Sequence, residues 1–282
     1  MLLILGWIIV LGSVIGGFTM SGGAVGNLLH ISEVIIIGGA AFGAFVASST
    51  GHGLKLSLKN ALHAFTGKAP GKAEYLELLS LMFGLFSKMN REGVISIEKD
   101  IENPTASPMF QRYPRIAKDK EACLFIGDTL RIYLTTGNAG ELEQLMGVDM
   151  ETMREGEVVP AHAIERMAES LPGMGIVAAV LGVVLTMAKI NDGPEVLGYS
   201  IAAALVGTFI GILLCYGIVG PIGAKMVALA HERESFFRAI KEAVAAAVRG
   251  SSPIVAVEYG RRAIPMSFRP TFLEMEQSVK GG

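Results

Sequence analysis

Pro172 and Pro221 lie in two long uncharged runs, with Thr186 and Thr208 between them, and these are the residues whose placement there could do more than pack. A proline inside a helix leaves the carbonyl four residues earlier without its amide donor and sets a bend. Beside a titrating carboxyl, such a bend could respond to protonation. A threonine in an apolar span offers its hydroxyl either to an ion or to its own helix, and the second use is the commoner. Conventional catalytic arrangements are missing. GKAPGKA, at 67–73, is one residue short of a phosphate-binding loop and lacks the Ser or Thr that should follow, so it reads as a flexible turn. His30, His52, His63, His162 and His231 are scattered without metal-ligand spacing. Cys123 and Cys215 form no CxxC pair and are expected to be free thiols. No enzyme activity, resident cofactor or metal is expected.

The elements that hold these prolines and threonines dominate the chain. Leu171 to Ala188 carries no charge, a polar patch follows (Lys189, Asn191, Asp192, Glu195), and Val196 to Ala224 is again uncharged. A bilayer core takes about 20 apolar residues of helix, so the stretch predicts two spans joined by a hairpin. Pro172 then opens the first span and Pro221 closes the second, on the same membrane face. The side chains are small. Gly207 and Gly211 form a small-xxx-small pair, and Ala178, Ala179, Gly182, Ala202, Ala203 and Ala204 add smooth faces for close approach.

Two further spans come first. The opening 29 residues carry no charge and lack the basic start of a signal peptide, which predicts a retained helix with Gly12 and Gly16 as a close-packing pair. Val34 to Ser49 predicts the second, with Gly39 and Gly43 at the same spacing. A hydrophobic content of 51% and a mean hydropathy of +0.50 agree with a membrane protein. The formal net charge is only −2, but all 24 Lys and Arg lie at position 55 or later. Lys55, Lys59, Lys68, Arg154, Arg166, Lys225, Arg233, Arg238 and Lys241 flank the spans on one side, whereas the hairpins at 21–33 and 189–195 carry only Lys189. The basic side should be cytoplasmic, with both termini inside.

The expected fold is therefore an all-α integral membrane protein with four transmembrane helices. The division expected is 1–54 for the first pair, 55–170 for a large helical cytoplasmic segment, 171–225 for the second pair and 226–282 for a cytoplasmic extension and tail. YLELLSLMFGLFSKMNREG and ACLFIGDTLRIYLTT repeat apolar residues at helical spacing, and Gly, Pro and Asn mark breaks near 69–71, 103–108 and 137–140. Basic residues of the tail, Arg261, Arg262 and Arg269, are expected to favour anionic lipid. Nothing points to nucleic acid. Proton and ion paths in a bilayer use Asp, Glu, His, Lys or Arg, and the four spans so placed contain none in their cores. A titrating group would then come from a second chain.

SLPGMGIVAAVLGVV, AALVGTFIGILLCYG with its following proline, IEKDIENP and AVEYGRRAIPMSFRPTFLEMEQ resemble the membrane stator subunits of the bacterial flagellar motor, the MotA family. The resemblance covers nearly the whole chain. The wider group includes the TolQ and ExbB subunits, whose three spans fit less well. What the resemblance implies is a ring of copies, five in number, around a dimer of MotB. That partner would supply a membrane aspartate and a periplasmic domain gripping peptidoglycan, and the ring would push the rotor protein FliG. Pro172 and Pro221 match the family prolines near the partner's aspartate, Thr208 the threonine facing the ion path, and Ala179 a position that is threonine in many sodium-driven relatives, which implies protons here. Glu98 matches an acidic rotor contact and Asp149 another acidic position. The family arginine's place falls on Asn90, and its neighbour Arg91 is assigned that role.

Two other readings stay open at this stage: a TolQ-like or ExbB-like subunit energising outer-membrane transport, and a passive membrane scaffold. The expected location is the inner membrane.

Overall fold

The computed structural model describes residues 2–28, 30–191 and 193–280, so Asp192 of the polar patch lies outside the described residues. These residues fold into helices joined by short turns, with no strand among them. Four helices are long and apolar enough to cross a membrane, and a large helical segment separates the second from the third. The chain divides into two compact units, Met1–Gly67 with Gly156–Leu229 and Lys68–Glu155 with Ala230–Gly282.

The first unit contains α1 (Leu2–Met20), a 3₁₀ turn at Val25–Leu28, α2 (Ile31–Ala47) and α3 (Gly51–Thr66). Thr50 caps α3 by accepting a hydrogen bond from the Gly53 amide at 3.1 Å. Among the later helices, α9 (Ala139–Met187) and α11 (Gly220–Val248) each contribute one part to either unit, while α10 (Pro194–Leu213) belongs to the first. Pro194 opens α10, its missing amide falling where a helix has no use for one, and Gly193 before it holds φ +97°. Ile37, Ala41, Ala178, Leu171, Ile210 and Cys215 make one small core, and Phe45, Ala64, Ala161, Ile164 and Met226 another.

In the second unit, α4 (Lys72–Glu92) is the spine. Glu74 reaches back to the Gly71 amide at 3.0 Å and fixes its start. Short helices α5 (Glu98–Glu102), α6 (Pro108–Gln111) and α7 (Pro114–Ala117) lead into α8 (Lys120–Thr136), capped by Asp119 and stopped at Gly137 with φ +63°. After α11 come α12 (Pro253–Ala263) and α13 (Phe272–Lys280), both packed on α4. Tyr75, Leu78, Leu79, Met82 and Leu85 of α4 are buried together with Phe236, Phe237, Ile240 and Val244 of α11. Each such side chain contributes about 1.5–3 kcal/mol when fully buried. Rings reinforce this core, with Tyr75 and Phe236 centred 5.4 Å apart and Phe125 set edge-on to Phe237 at 5.1 Å.

Charge pairs tie the same unit. Arg233 bonds both carboxylate oxygens of Asp119, reaches Glu121 at 3.0 Å and stacks 4.6 Å from the Phe237 ring centre. Burial pushes the Asp119 carboxyl up, but the hydrogen bonds and charge of Arg233, with the Ala122 and Glu121 amides, hold it below the usual carboxylate range. Asp100 repeats the pattern, since Lys88 at 2.8 Å and the Ser107 hydroxyl at 2.6 Å outweigh its burial and keep it low. In the tail, the Arg261 guanidinium grips Glu258 and donates to the Pro270 carbonyl, while Arg269 donates to the carbonyls of Ile264 and Arg262. The sequence assigned these arginines to lipid; the structure uses Arg261 and Arg269 to fold the turn between α12 and α13.

Candidate functional site

The second pair of apolar helices meets along glycine. A Cβ at Gly175 would lie 3.0 Å from the Gly207 carbonyl oxygen and 3.3 Å from Thr208 Cα. One at Gly211 would lie 2.7 Å from the Leu171 carbonyl oxygen, and one at Gly182 would lie 2.7 Å from Ala204 Cβ. Backbone therefore touches backbone, and dispersion between main chains replaces the large side chains of a soluble core. Gly207, Gly211, Ala178, Gly182 and Ala204 do what their small size predicts, and Gly175 joins them. Gly12 and Gly16, and Gly39 and Gly43, do not: each faces open space within this chain. Among the described residues, then, no helix packs closely against these four positions.

Pro172 does not open a helix. α9 runs unbroken through it, with Pro160 a further interior proline that the sequence analysis passed over. The helix thus carries the Ala168 carbonyl past a ring with no amide to offer. Pro221 is set up differently. Residues Leu214–Val219 form a π-helical segment, and the Gly220 amide donates to the carbonyl of Cys215, five residues back. Widening the turn ahead of Pro221 relieves the clash of its ring with the preceding carbonyls and re-aims the backbone. One of those carbonyls is used elsewhere: Trp7 Nε1 of α1 donates to the Ile218 oxygen at 3.2 Å. Gly217, beside it, takes Val10 of α1 so closely that a Cβ would sit 2.9 Å from its Cγ1. Neither Trp7 nor the π segment was legible beforehand, because no residue type marks a π turn except the proline after it.

Antiparallel pairing sets the two prolines on the same half of the helix pair. Leu171 lies opposite Gly211 and Glu165 opposite Gly223, and Pro172 and Pro221 lie within two residues of these contacts. Ala179 and Thr208 are half-buried at the crossing, with the Ala179 amide nitrogen 3.5 Å from a Cβ placed at Gly207. Thr186 is fully buried and donates its hydroxyl to the Gly182 carbonyl at 2.8 Å.

One expectation fails here. The sequence placed Glu33 in an outer loop and left the spans without an ionisable group; the structure makes it the third residue of α2 and buries it to 8% exposure. The helix starts at Ile31, three residues before the charge-free run, because His30 takes an extended conformation that ends the turn before it. One carboxylate oxygen, Oε2, has no hydrogen-bond partner among the described residues.

In the second unit, Arg91 stands in the last turn of α4, Glu98 begins α5 and Asp149 stands on α9, all three exposed and without an ion pair among the described residues. Arg91 and Glu98 flank the turn at Gly93, where φ is +87°, with Ile95 exposed at its tip. No hydrogen bond joins Asp149 to either. Among the described residues no three His, Cys, Asp or Glu gather as a metal site.

Comparison with known proteins covers the same ground. Residues 4–93 match the family described as motility protein A N-terminal, and residues 125–239 match the MotA/TolQ/ExbB proton channel family. The chain is 39% identical to motility protein A of Salmonella typhimurium over 99% of its length and 95% of the other's. It is 33% identical to chemotaxis protein LafT of Vibrio parahaemolyticus, covering 97% and 96%. Its fold is similar to a chain of C. jejuni MotAB, with a TM-score of 0.78 at 22% identity over 94% of this chain and 95% of that one. It is also similar to a chain of the flagellar MotAB stator complex from Bacillus subtilis, with a TM-score of 0.75 at 19% identity over 90% and 92%. With four spans, a glycine-faced helix pair carrying Pro172 and Pro221, and relatedness running from end to end, the chain belongs to the motility protein A family of flagellar stator subunits.

Proposed function

We propose that this chain is the force-generating subunit of a proton-driven flagellar stator in the bacterial inner membrane, with both termini cytoplasmic. The observation that carries the reading is the full-length relationship to motility protein A together with the proline-bearing helix pair at Gly175 and Gly211. A dimer of MotB supplies the membrane aspartate and the peptidoglycan anchor, and five copies of this chain form the ring. No resident cofactor takes part; the transported ion is the proton.

The mechanism follows from the helix pair. A partner carboxylate near Pro172, Ala179, Thr208 and Pro221 changes charge and hydrogen bonding when it takes a proton. An interior proline gives its helix a bend whose depth depends on what sits beside it, so the neutral and ionised carboxyl favour different fits. Ala179 keeps that position free of a hydroxyl that would help to replace the hydration shell of sodium. Thr208 offers one on the facing helix. Each change of fit advances the ring by one partner contact. Arg91, Glu98 and Asp149 meet the rotor protein FliG, where complementary charge steers and registers the contact.

A strain lacking this gene should be flagellated but paralysed, and restoring the chain should return swimming in medium without sodium. Recovery only with sodium would overturn the assignment of Ala179. Unimpaired swimming after deletion, with no second stator set present, would turn the reading toward TolQ-like energising. Glu98→Lys should weaken rotor engagement while the ring still assembles, and normal swimming would remove Glu98 from that contact.

A further inference from the structure

Glu33 is a buried charged residue of the first unit that neither the helix packing nor the mechanism above uses. Its place is deep. A Cβ at Gly207 would lie 2.8 Å from Glu33 Oε2 and 3.2 Å from Ala178 Cβ, so the carboxyl reaches the crossing of α9 and α10 beside Thr208 and Ala179. Gly207 is about 20 Å along α10 from Pro194 and Ala178 about 13 Å along α9 from Met187, so the side chain of Glu33, from the first turn of α2, reaches a crossing well inside both helices. Gly207 leaves room for it: a Cβ there would make Oε2 shift.

The surroundings offer the carboxyl little. Oε2 is buried with no hydrogen-bond donor among the described residues. Ala178, Ala179 and Gly207 bring no polar side chain from α9 or α10. On its own helix the titratable neighbour is His30, the N-cap residue, whose ring stands edge-on to Tyr199 of α10 at 6.1 Å. An ionised carboxyl without donor or counter-charge in an apolar interior is strongly disfavoured. Such a group is retained in a span where it binds something, and ionisable residues inside membranes lie on ion paths. The smallest ligand that meets the need of Oε2, and fits a crossing with no room for a Cβ, is a proton.

We propose that Glu33 is a proton-binding carboxyl of the ion path, placed on this chain ahead of the carboxylate that the partner supplies. This rests on the stator reading. Hydronium arriving from the outer face gives its proton to Oε2, leaving water and a neutral carboxyl. Release breaks that O–H bond, restores the carboxylate and passes the proton on toward the Ala179 and Thr208 level.

The test uses the full chain with its partner in a strain lacking both. Rotation speed under load is measured against external pH for wild type, Glu33→Gln and Glu33→Asp. In parallel, membranes holding the wild-type complex are treated with dicyclohexylcarbodiimide, which reacts with protonated carboxyls in apolar surroundings, and the adduct is located by peptide mass spectrometry. Expected are an adduct on Glu33 that declines as pH rises, rotation roughly tenfold slower in Glu33→Gln with its pH dependence flattened, and rotation with a retained pH dependence in Glu33→Asp. Glu33→Gln rotation matching wild type at every pH would overturn the proposal, as would absence of the adduct at every pH. If Glu33→Gln fails to assemble, the adduct and the Glu33→Asp profile still decide. Wild type that restores no rotation at all would instead fell the stator reading.

Discussion

The two units of this chain are both helical, yet they cohere by opposite means. In the first, Gly175, Gly182, Gly207 and Gly211 let backbones touch, and most large apolar side chains, such as Val184, Leu185 and Leu205, point outward and stay exposed. In the second, Tyr75, Phe236, Phe237 and Leu85 fill an interior, and arginine–carboxylate pairs fasten its rim. The contrast is what solvent dictates. Water drives large apolar groups together. Lipid is as apolar as leucine and does not, so close approach at small residues carries the association.

The sharpest way to break that contrast is at Gly211. Gly211→Leu must push α10 away from the Leu171 carbonyl and from Gly175, both of which are backbone and cannot yield. The helix pair should separate and rotation should vanish, with Gly211→Ala intermediate; ring assembly on a native gel and swimming report both. A Gly211→Leu protein that assembles and swims would refute the close approach.

The second unit should respond by a different rule. Phe237→Ala opens a hole beneath Arg233 and against Phe125, and should cost about 4 kcal/mol. Hydrogen exchange should rise in α4, α8 and the last turns of α11 and stay unchanged in α10. Equal loss of protection in α10 would mean that the two interiors are not energetically separate.

A smaller effect comes from the rim. Asp119→Asn leaves Arg233 half-buried with Glu121 as its remaining charge, and should cost about 2 kcal/mol. The same carboxyl gives the unit an acid sensitivity. Asp100, Asp119 and Glu258 all ionise below their usual range in the folded chain, and Lys72 with Thr271 brings Glu274 down to about 2. Depressed carboxyls bind protons more tightly unfolded than folded. Their stabilisation is therefore complete above the unfolded pKa of about 4 and drains away as pH falls through the folded values. Protection of the α8 amides, taken relative to the intrinsic exchange rate at each pH, should fall on acidification from about pH 4, and Asp119→Asn should blunt that response.

How far these features were legible follows from what writes each into sequence. Four spans and the glycine face of the second pair could be read, because uncharged runs and small residues at helical spacing mark them. The start of α2 could not: the apolar run begins at Val34, and a hydropathy reading stops at Glu33, whereas the helix is set by the backbone at His30. Pro172 misled in the same direction, since a proline at the edge of an apolar run looks like a helix start until the continuous helix before it is seen. Arg261 and Arg269 read as lipid-facing charge because their acceptors, the carbonyls of Pro270, Ile264 and Arg262, carry no mark in sequence.

The smallest expected change in stability belongs to Pro221, where the expected change in function is large. Alanine there restores an amide and removes the ring clash that the π segment accommodates, so folding should shift by no more than about 1 kcal/mol in either direction. What changes is register. Without the proline, residues 214–219 are free to close i to i+4, which turns everything before them by about 100° relative to α11. Gly217 would then leave Val10, and the Ile218 carbonyl would leave Trp7 Nε1. Pro221→Ala cells should therefore assemble the complex and lose torque, measured as speed of tethered cells under load. Trp7→Phe, which removes only the donor, should lose less. Normal torque in Pro221→Ala would mean that the π turn is idle, and equal losses in the two variants would place the whole effect in the single bond to Ile218.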